Sequence, residues 1–379
     1  MFKKSLVAVA ALATFSAGAM AANVELYGVV DMGFSYTHTK GDKFEMSQNM
    51  YAGSRFGFRG TEDLGDDLTV GFILENGFTP DTGAMAVSDT IFNRESQLYL
   101  KGSWGQLGFG RVGAFTSGSS SLGWYWDLEP FETGYIDAGV QASQVNVWRL
   151  NSNTVYYISP VFAGFKVGAQ YSMTGAADPS VQEDSRWSEN NNFGNVALRW
   201  DGANARAILG VEWDKYGKAE QGQRDDAWSV KLAGAWVPNG GAVTLYAGAS
   251  WYKNQDRFSD STYDDDGFLT DYYDESGKRL DAYSFFVGGK YTVEAANWLA
   301  MFQYLDGENK GAIDGAPEKD FKRYIASVGC HYYFSKRTML YTIASFADGD
   351  GIFDTVKHDD GGGAKSDRFM AHVGLTHFF

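Results

Sequence analysis

Cysteine is nearly absent from this chain. Cys330 is the only one in 379 residues. An internal disulfide needs two, and a cysteine-based metal centre needs several, so both are excluded. Proline is scarce at 6, which argues against a proline-rich, low-complexity chain. Basic residues are outnumbered, 32 against 47 acids, for a net charge of −15. A nucleic-acid partner needs a basic face and is disfavoured. After the first twenty or so residues no apolar run approaches the ~18–20 residues of a spanning helix. Mean hydropathy is −0.30, too polar for a bundle of membrane helices. The five histidines, His38, His331, His358, His372 and His377, sit in no nucleophile motif. No Gly-x-Ser-x-Gly elbow is present, so nothing points to an enzyme. No cofactor is implied.

Glycine and aromatics are abundant instead: Gly 46, Phe 27, Tyr 22 and Trp 11. The first segment reads as an address. Lys3 and Lys4 precede an apolar stretch from Leu6 to Ala13, and Ala19-Met20-Ala21 is a small-x-small cleavage pattern. Residues 1–21 are therefore expected to be a cleaved secretory signal peptide. Residues 22–379 are expected to form a single domain.

Period-two alternation runs the length of that domain. Phe165, Val167, Ala169 and Tyr171 share one face, and Lys166, Gly168, Gln170 and Ser172 the other. Trp228, Val230, Leu232 and Trp236 form such a face, as do Tyr283, Phe285, Val287 and Tyr291. Aromatics at strand ends with small aliphatics between them fit a lipid-facing wall with two girdles. The alternation predicts sixteen strands near 23–37, 52–62, 66–77, 92–102, 104–112, 152–160, 162–173, 192–201, 204–216, 225–238, 241–255, 280–292, 295–306, 321–334, 337–348 and 367–379. Short connections such as Asp63-Leu64-Gly65 alternate with long ones such as 113–151. An even strand count with this rhythm predicts an all-β, antiparallel transmembrane barrel. Phe369, Ala371, Val373, Leu375 and the terminal Phe379 share a parity, and Cys330 is expected to face outward with Val328 and Tyr332. One strand resists the pattern. Placing Arg94 inward turns Glu95 and Gln97 outward, which is costly in lipid; that face is expected to meet another subunit.

Ser54-Arg55-Phe56-Gly57-Phe58-Arg59-Gly60-Thr61-Glu62-Asp63-Leu64-Gly65 resembles a hallmark of Gram-negative general porins of the Neisseria and Burkholderia type. Further matches follow in order. They are Val24 to Asp31, Phe109-Gly110-Arg111, Asn153 to Pro160 with Phe162 to Phe165, Tyr333 to Tyr341, and Val373 to Phe379. The resemblance covers the whole mature chain. It implies a 16-stranded barrel in the outer membrane of a Gram-negative bacterium, with an inward-folded third long loop, here roughly 113–151. It also implies a homotrimer in lipid and lipopolysaccharide, each barrel passing ions and small hydrophilic solutes.

The resemblance further implies a charged constriction. Arg55, Arg94 and Arg149 match the basic wall, with Arg59 and Arg111 on the same wall nearer a mouth. Opposite them stand loop acids: Asp127, Glu129, Glu132 and Asp137, with Glu129 and Glu132 competing for the inward position. The alternative role for the arginines is to solvate the lumen or pair with carboxylates. Two departures stand out. Tyr156 and Ile158 replace an Arg and an Asp of many relatives, and the loop is rich in aromatics: Trp124, Tyr125, Trp126, Phe131 and Tyr135. Those rings either pack the loop on the wall or offer a surface for sugars or aromatic solutes. The acidic stretch 256–279, with Asp264-Asp265-Asp266, reads as a solvated surface loop or a divalent-cation site. An arginine wall favours anions and an acidic vestibule favours cations. The nearer, less screened constriction dominates, so little preference or a weak preference for anions is expected. A substrate-specific channel and an adhesin-like or structural barrel remain the competing readings of the same fold.

Overall fold

Alternating segments pair into one closed antiparallel sheet. The computed structural model describes residues 23–39, 41–173, 191–217, 224–255, 258, 276–312, 319–353 and 367–379. The expected signal peptide, and all but a few residues of the acidic stretch 256–279, lie outside the described residues.

The strands are β1 (Asn23–His38), β2 (Asp42–Gln48), β3 (Arg55–Gly65), β4 (Leu68–Thr79), β5 (Ala84–Met85), β6 (Glu95–Gly102), β7 (Gly105–Gly113), β8 (Leu150–Ile158) and β9 (Phe165–Ser172). They continue as β10 (Asn192–Asp201), β11 (Ala205–Lys215), β12 (Ala227–Trp236), β13 (Val243–Gln255), β14 (Leu280–Val293), β15 (Ala296–Asn309), β16 (Asp320–Ser335), β17 (Thr338–Asp350) and β18 (Arg368–Phe378). Each expected strand finds its counterpart. β2 was not expected. It pairs with the end of β1 (Met32↔Gln48), while β3 pairs with its beginning (Val29↔Arg55). β2 and β3 are thus one staggered line interrupted at 49–54, and the short β5 pairs only with Phe78 and Thr79. Sixteen lines make the wall. β18 closes on β1 from Val29↔Phe378 to His38↔Phe369, so no edge is left open to lipid.

The seam is locked by one carboxylate. Asp31 accepts from the backbone N–H of Tyr51 and Ala52, at 3.0 Å each, across the 49–54 break. It also accepts from Tyr341 Oη and Thr376 Oγ1, both at 3.0 Å, on β17 and β18. The last residue shares in the closure. Gly28 and Phe379 exchange backbone hydrogen bonds of 3.1 and 3.0 Å. A Cβ on Gly28 would sit 2.3 Å from the Phe379 ring, so this close approach requires glycine.

Tight turns and both ends of the described barrel share one rim. Asp66 and Asp67 both carry positive φ in the β3–β4 turn, the mirror-image geometry that fits strand twist. The outer face is apolar: Leu98, Leu209, Leu232, Val287, Val328 and Leu375 are exposed. The inner face carries Glu75, Arg199, Glu212, Lys231 and Arg323, each buried.

The strand that resisted the pattern resolves without a subunit contact. Glu95 and Gln97 point inward: Glu95 accepts from Ser121 N and Oγ at 2.7 Å each, and Gln97 accepts from Tyr156 Oη at 2.6 Å. Arg94 precedes the strand, where the chain bends and Phe92 carries a φ of 59°. The bend resets parity, so Arg94 and Glu95 both reach the inner side. Strict alternation does not extend through it.

The connection at 114–149 carries several of the largest buried rings of the core's main cluster onto the wall. Phe115, Tyr125, Leu128, Phe131 and Tyr135 are fully buried against Tyr156, Ile208, Phe286 and Tyr341 of the wall. Each such burial is worth about 1.5–3 kcal/mol. The four departures from ordinary backbone at Glu132, Thr133, Tyr135 and Ile136, all at positive φ, cost about 1–3 kcal/mol each. That packing holds them.

Candidate functional site

The loop is pinned at several points around the inner wall. Phe115 N donates to Asn195 Oδ1 of β10 at 2.9 Å. Thr116 Oγ1 and Asn146 Nδ2 both donate to Glu212 of β11, which also pairs with Lys231 of β12 at 3.0 Å. Tyr135 Oη lies 2.8 Å from His331 Nε2 of β16. Ser143 Oγ donates to Gln303 Oε1 of β15 at 2.7 Å. Asp137 sits between Arg323 at 3.0 Å and Arg368 at 2.5 Å. Burial pushes its carboxyl pKa up, but the two guanidiniums prevail and hold it below the ordinary carboxylate range.

Between this loop and the wall lies a cavity of about 480 Å³. Wall residues Arg55, Arg59, Glu75 and Arg94 line it, as do Trp126, Glu132 and Trp148 of the loop. Arg55 Nε lies 3.2 Å and Arg94 Nε 2.7 Å from the same carboxylate, Glu75. Tyr27 Oη donates to it at 3.0 Å. Arg94 also donates to Ser119 O of the loop at 2.8 Å, and Arg55 to Gly53 O at 2.8 Å. Backbone carbonyls therefore fix both guanidiniums as well.

Arg149 lies elsewhere. It pairs with Asp214 of β11 at 2.6 Å and stacks 4.1 Å over Phe193, and it is not among the cavity's lining residues. Arg59 reaches the cavity from the short-turn side, paired with Glu25 at 2.8 Å. Arg111 donates to Asn93 O at 2.5 Å and Ser152 Oγ at 2.8 Å, off the cavity lining.

The loop acids separate in the same way. Asp127 is clamped by Arg199, at 2.7 and 2.9 Å, and by Arg206 at 3.0 Å. Glu129 is fully buried and caps its own turn, accepting from Phe131 N at 2.7 Å and from Thr133 N. Burial pushes its carboxyl up to about 8, partly offset by those backbone donors. Glu132 is the loop acid on the cavity, accepting from Tyr51 Oη. A hydrogen-bonded turn holds the Glu129 carboxylate on its own backbone, whereas Glu132 borders the cavity.

Glu75 lies outside both the expected basic wall and the expected loop acids. It shares parity with Gly71 and Ile73 on β4. A lone carboxylate on an otherwise apolar spanning strand must face water or a partner, and that rule singles it out. Of the loop aromatics, Trp124, Tyr125, Phe131 and Tyr135 are buried, whereas Trp126 stands exposed in the cavity.

A family described as Gram-negative porin matches residues 8–351. An outer membrane porin protein of Bordetella pertussis is 31% identical over 408 residues, covering 94% of this chain and 97% of its own. The major outer membrane protein P.IB of Neisseria sicca is 26% identical and aligns over 100% of both chains. Among solved structures, an anion-selective porin from Comamonas acidovorans superposes with a TM-score of 0.67 at 22% identity, over 95% of this chain and 100% of that one. At that identity the superposition speaks to the fold.

Proposed function

The chain belongs to the Gram-negative porin family, whose members form diffusion pores in the outer membrane, and from that premise we propose that its constriction is the cavity between Arg55, Arg94 and the 114–149 loop. The observation that carries this reading is the shared lining: wall arginines and the loop's Trp126 and Glu132 border one water-accessible space. Ions and small hydrophilic solutes pass here without any bond being made or broken. The fixed charges act by orienting and sorting them. Three arginines and three glutamates line the cavity. This balance supports a pore with little ion preference. Arg149, Asp127 and Glu129 hold the loop and wall in place rather than meet the solute.

In this reading residues 1–21 are removed on export, the apolar outer face meets lipid and lipopolysaccharide, and three barrels assemble with one pore each. Family membership supports the trimer. Cross-linking in mild detergent should trap a three-chain species, and a stable single chain would overturn that part.

Liposome swelling tests the pore itself. Neutral polyethylene glycols should enter at rates that fall smoothly with size and do not saturate. Entry of one solute alone, with saturation, would replace a general pore with a specific channel. No entry through a folded barrel would leave the surface-binding reading.

A further inference from the structure

Two large apolar rings stand exposed on the cavity proposed above as the constriction. Trp126 is 46% and Trp148 38% exposed, and both line the cavity. The same loop buries Phe115, Trp124, Tyr125, Phe131 and Tyr135, so it is able to hide aromatic rings and leaves these two out. An exposed indole face beside fixed polar groups is the composition of a ligand site, in which apolar rings supply contact and a few polar groups set orientation.

The charges around these rings narrow the ligand. Each lining arginine already has a carboxylate partner: Arg55 and Arg94 on Glu75, Arg59 on Glu25. A bare anion would have to compete with those carboxylates, and a cation with the guanidiniums. A neutral ligand with hydroxyl groups competes with neither. It accepts from guanidinium N–H and donates to carboxylate oxygen, because a hydroxyl does both. A sugar ring combines hydroxyls at its rim with apolar C–H faces that can cover an indole. The cavity, about 480 Å³, falls within the ~300–1,000 Å³ of small-molecule sites.

We propose that the constriction is a subsite for neutral saccharides. Trp126 and Trp148 are the stacking platforms, and Arg55, Arg94 and Glu132 are the hydroxyl partners. The proposal rests on the pore reading above and adds a substrate class to it.

The test uses the whole folded protein in planar bilayers. The probes are maltotriose and cellotriose, with a polyethylene glycol of equal mass as control. Salt current without sugar reports the open pore alone. The sugars should interrupt that current in a saturable way, and the polymer should not. Trp126→Ala with Trp148→Ala should leave the salt current open and weaken the sugar effect by roughly tenfold or more. Trp126→Phe with Trp148→Phe should restore most of it. Equal effects of sugar and polymer would overturn the subsite, as would a sugar effect untouched by the double alanine variant. Interruption by benzoate but not by sugars would also overturn it, in favour of aromatic anions. If a folded barrel carries no salt current, the pore reading fails. The sugar-induced change in tryptophan emission, compared between wild type and the double alanine variant in detergent, then decides the subsite separately.

Discussion

Glu75 is the residue whose removal should change the pore most clearly. Its carboxylate lies 3.2 Å from Arg55 and 2.7 Å from Arg94. Glu75→Gln keeps the shape and removes one negative charge from a lining of three arginines and three glutamates. Both arginines keep a backbone carbonyl partner, Gly53 O and Ser119 O, each at 2.8 Å, so they should stay in place. One charge about 6 Å from a passing ion in water is worth about 0.7 kcal/mol, and ~0.1 M salt screens this to about 0.4. That favours an anion roughly twofold and disfavours a cation roughly twofold, so the anion-to-cation permeability ratio should rise about fourfold. The assay is the reversal potential in asymmetric salt. Arg94→Gln should move it the other way by a similar amount, and the effect of both should shrink at high salt. An unchanged reversal potential in Glu75→Gln, or a shift toward cations, would refute the placement of this carboxylate at the constriction.

Asp137→Asn should loosen the loop, because it leaves Arg323 and Arg368 without their shared carboxylate; breaking such a buried cluster costs about 3–5 kcal/mol, read as a lower unfolding midpoint and noisier open-channel current. Since the Asp137 pKa is held low in the fold, its contribution is present above the ordinary carboxylate range and lost as pH falls through the depressed value, so acid should mimic the variant. Glu129 has the opposite sign. Its pKa is raised to about 8, so its stabilising contribution is present below the ordinary range and lost as pH rises toward about 8; Glu129→Gln should flatten this part of the pH–stability profile. On the outer wall, Leu232→Arg should destabilise the membrane-inserted barrel by about 2–4 kcal/mol if it sits near the midplane, measured by denaturant refolding into lipid, whereas unchanged stability would place Leu232 away from lipid.

The wall was legible in the sequence because a barrel imposes one rule on every strand. Lipid demands apolar residues at alternate positions, and Trp228-Ser229-Val230-Lys231-Leu232 obeys it directly: Leu232 is exposed and Lys231 is buried inside. The rule fails where the backbone bends. The turn at 91–94 shifts parity, and Glu95 points inward against expectation. β2 breaks the alternation because Asp42-Lys43-Phe44-Glu45 carries charge at three of four positions, two of them adjacent, in a segment that looks like a loop. The cavity proposed as the constriction was only partly legible. Sequence can say that Arg55 and Arg94 face inward, but not that both share Glu75. That contact joins three segments of chain. Nor can it say that Glu129 folds back onto Thr133 N while Glu132 reaches the cavity, since both belong to one short acidic run in a loop without period.

The central claim is an open pore narrowed at a charge-balanced cavity. Planar-bilayer recording of the mature protein in asymmetric salt tests it most directly. The account predicts conductance steps grouped in threes, with a reversal potential close to zero. A folded barrel that carries no current, or one that passes ions of one sign almost exclusively, would contradict it.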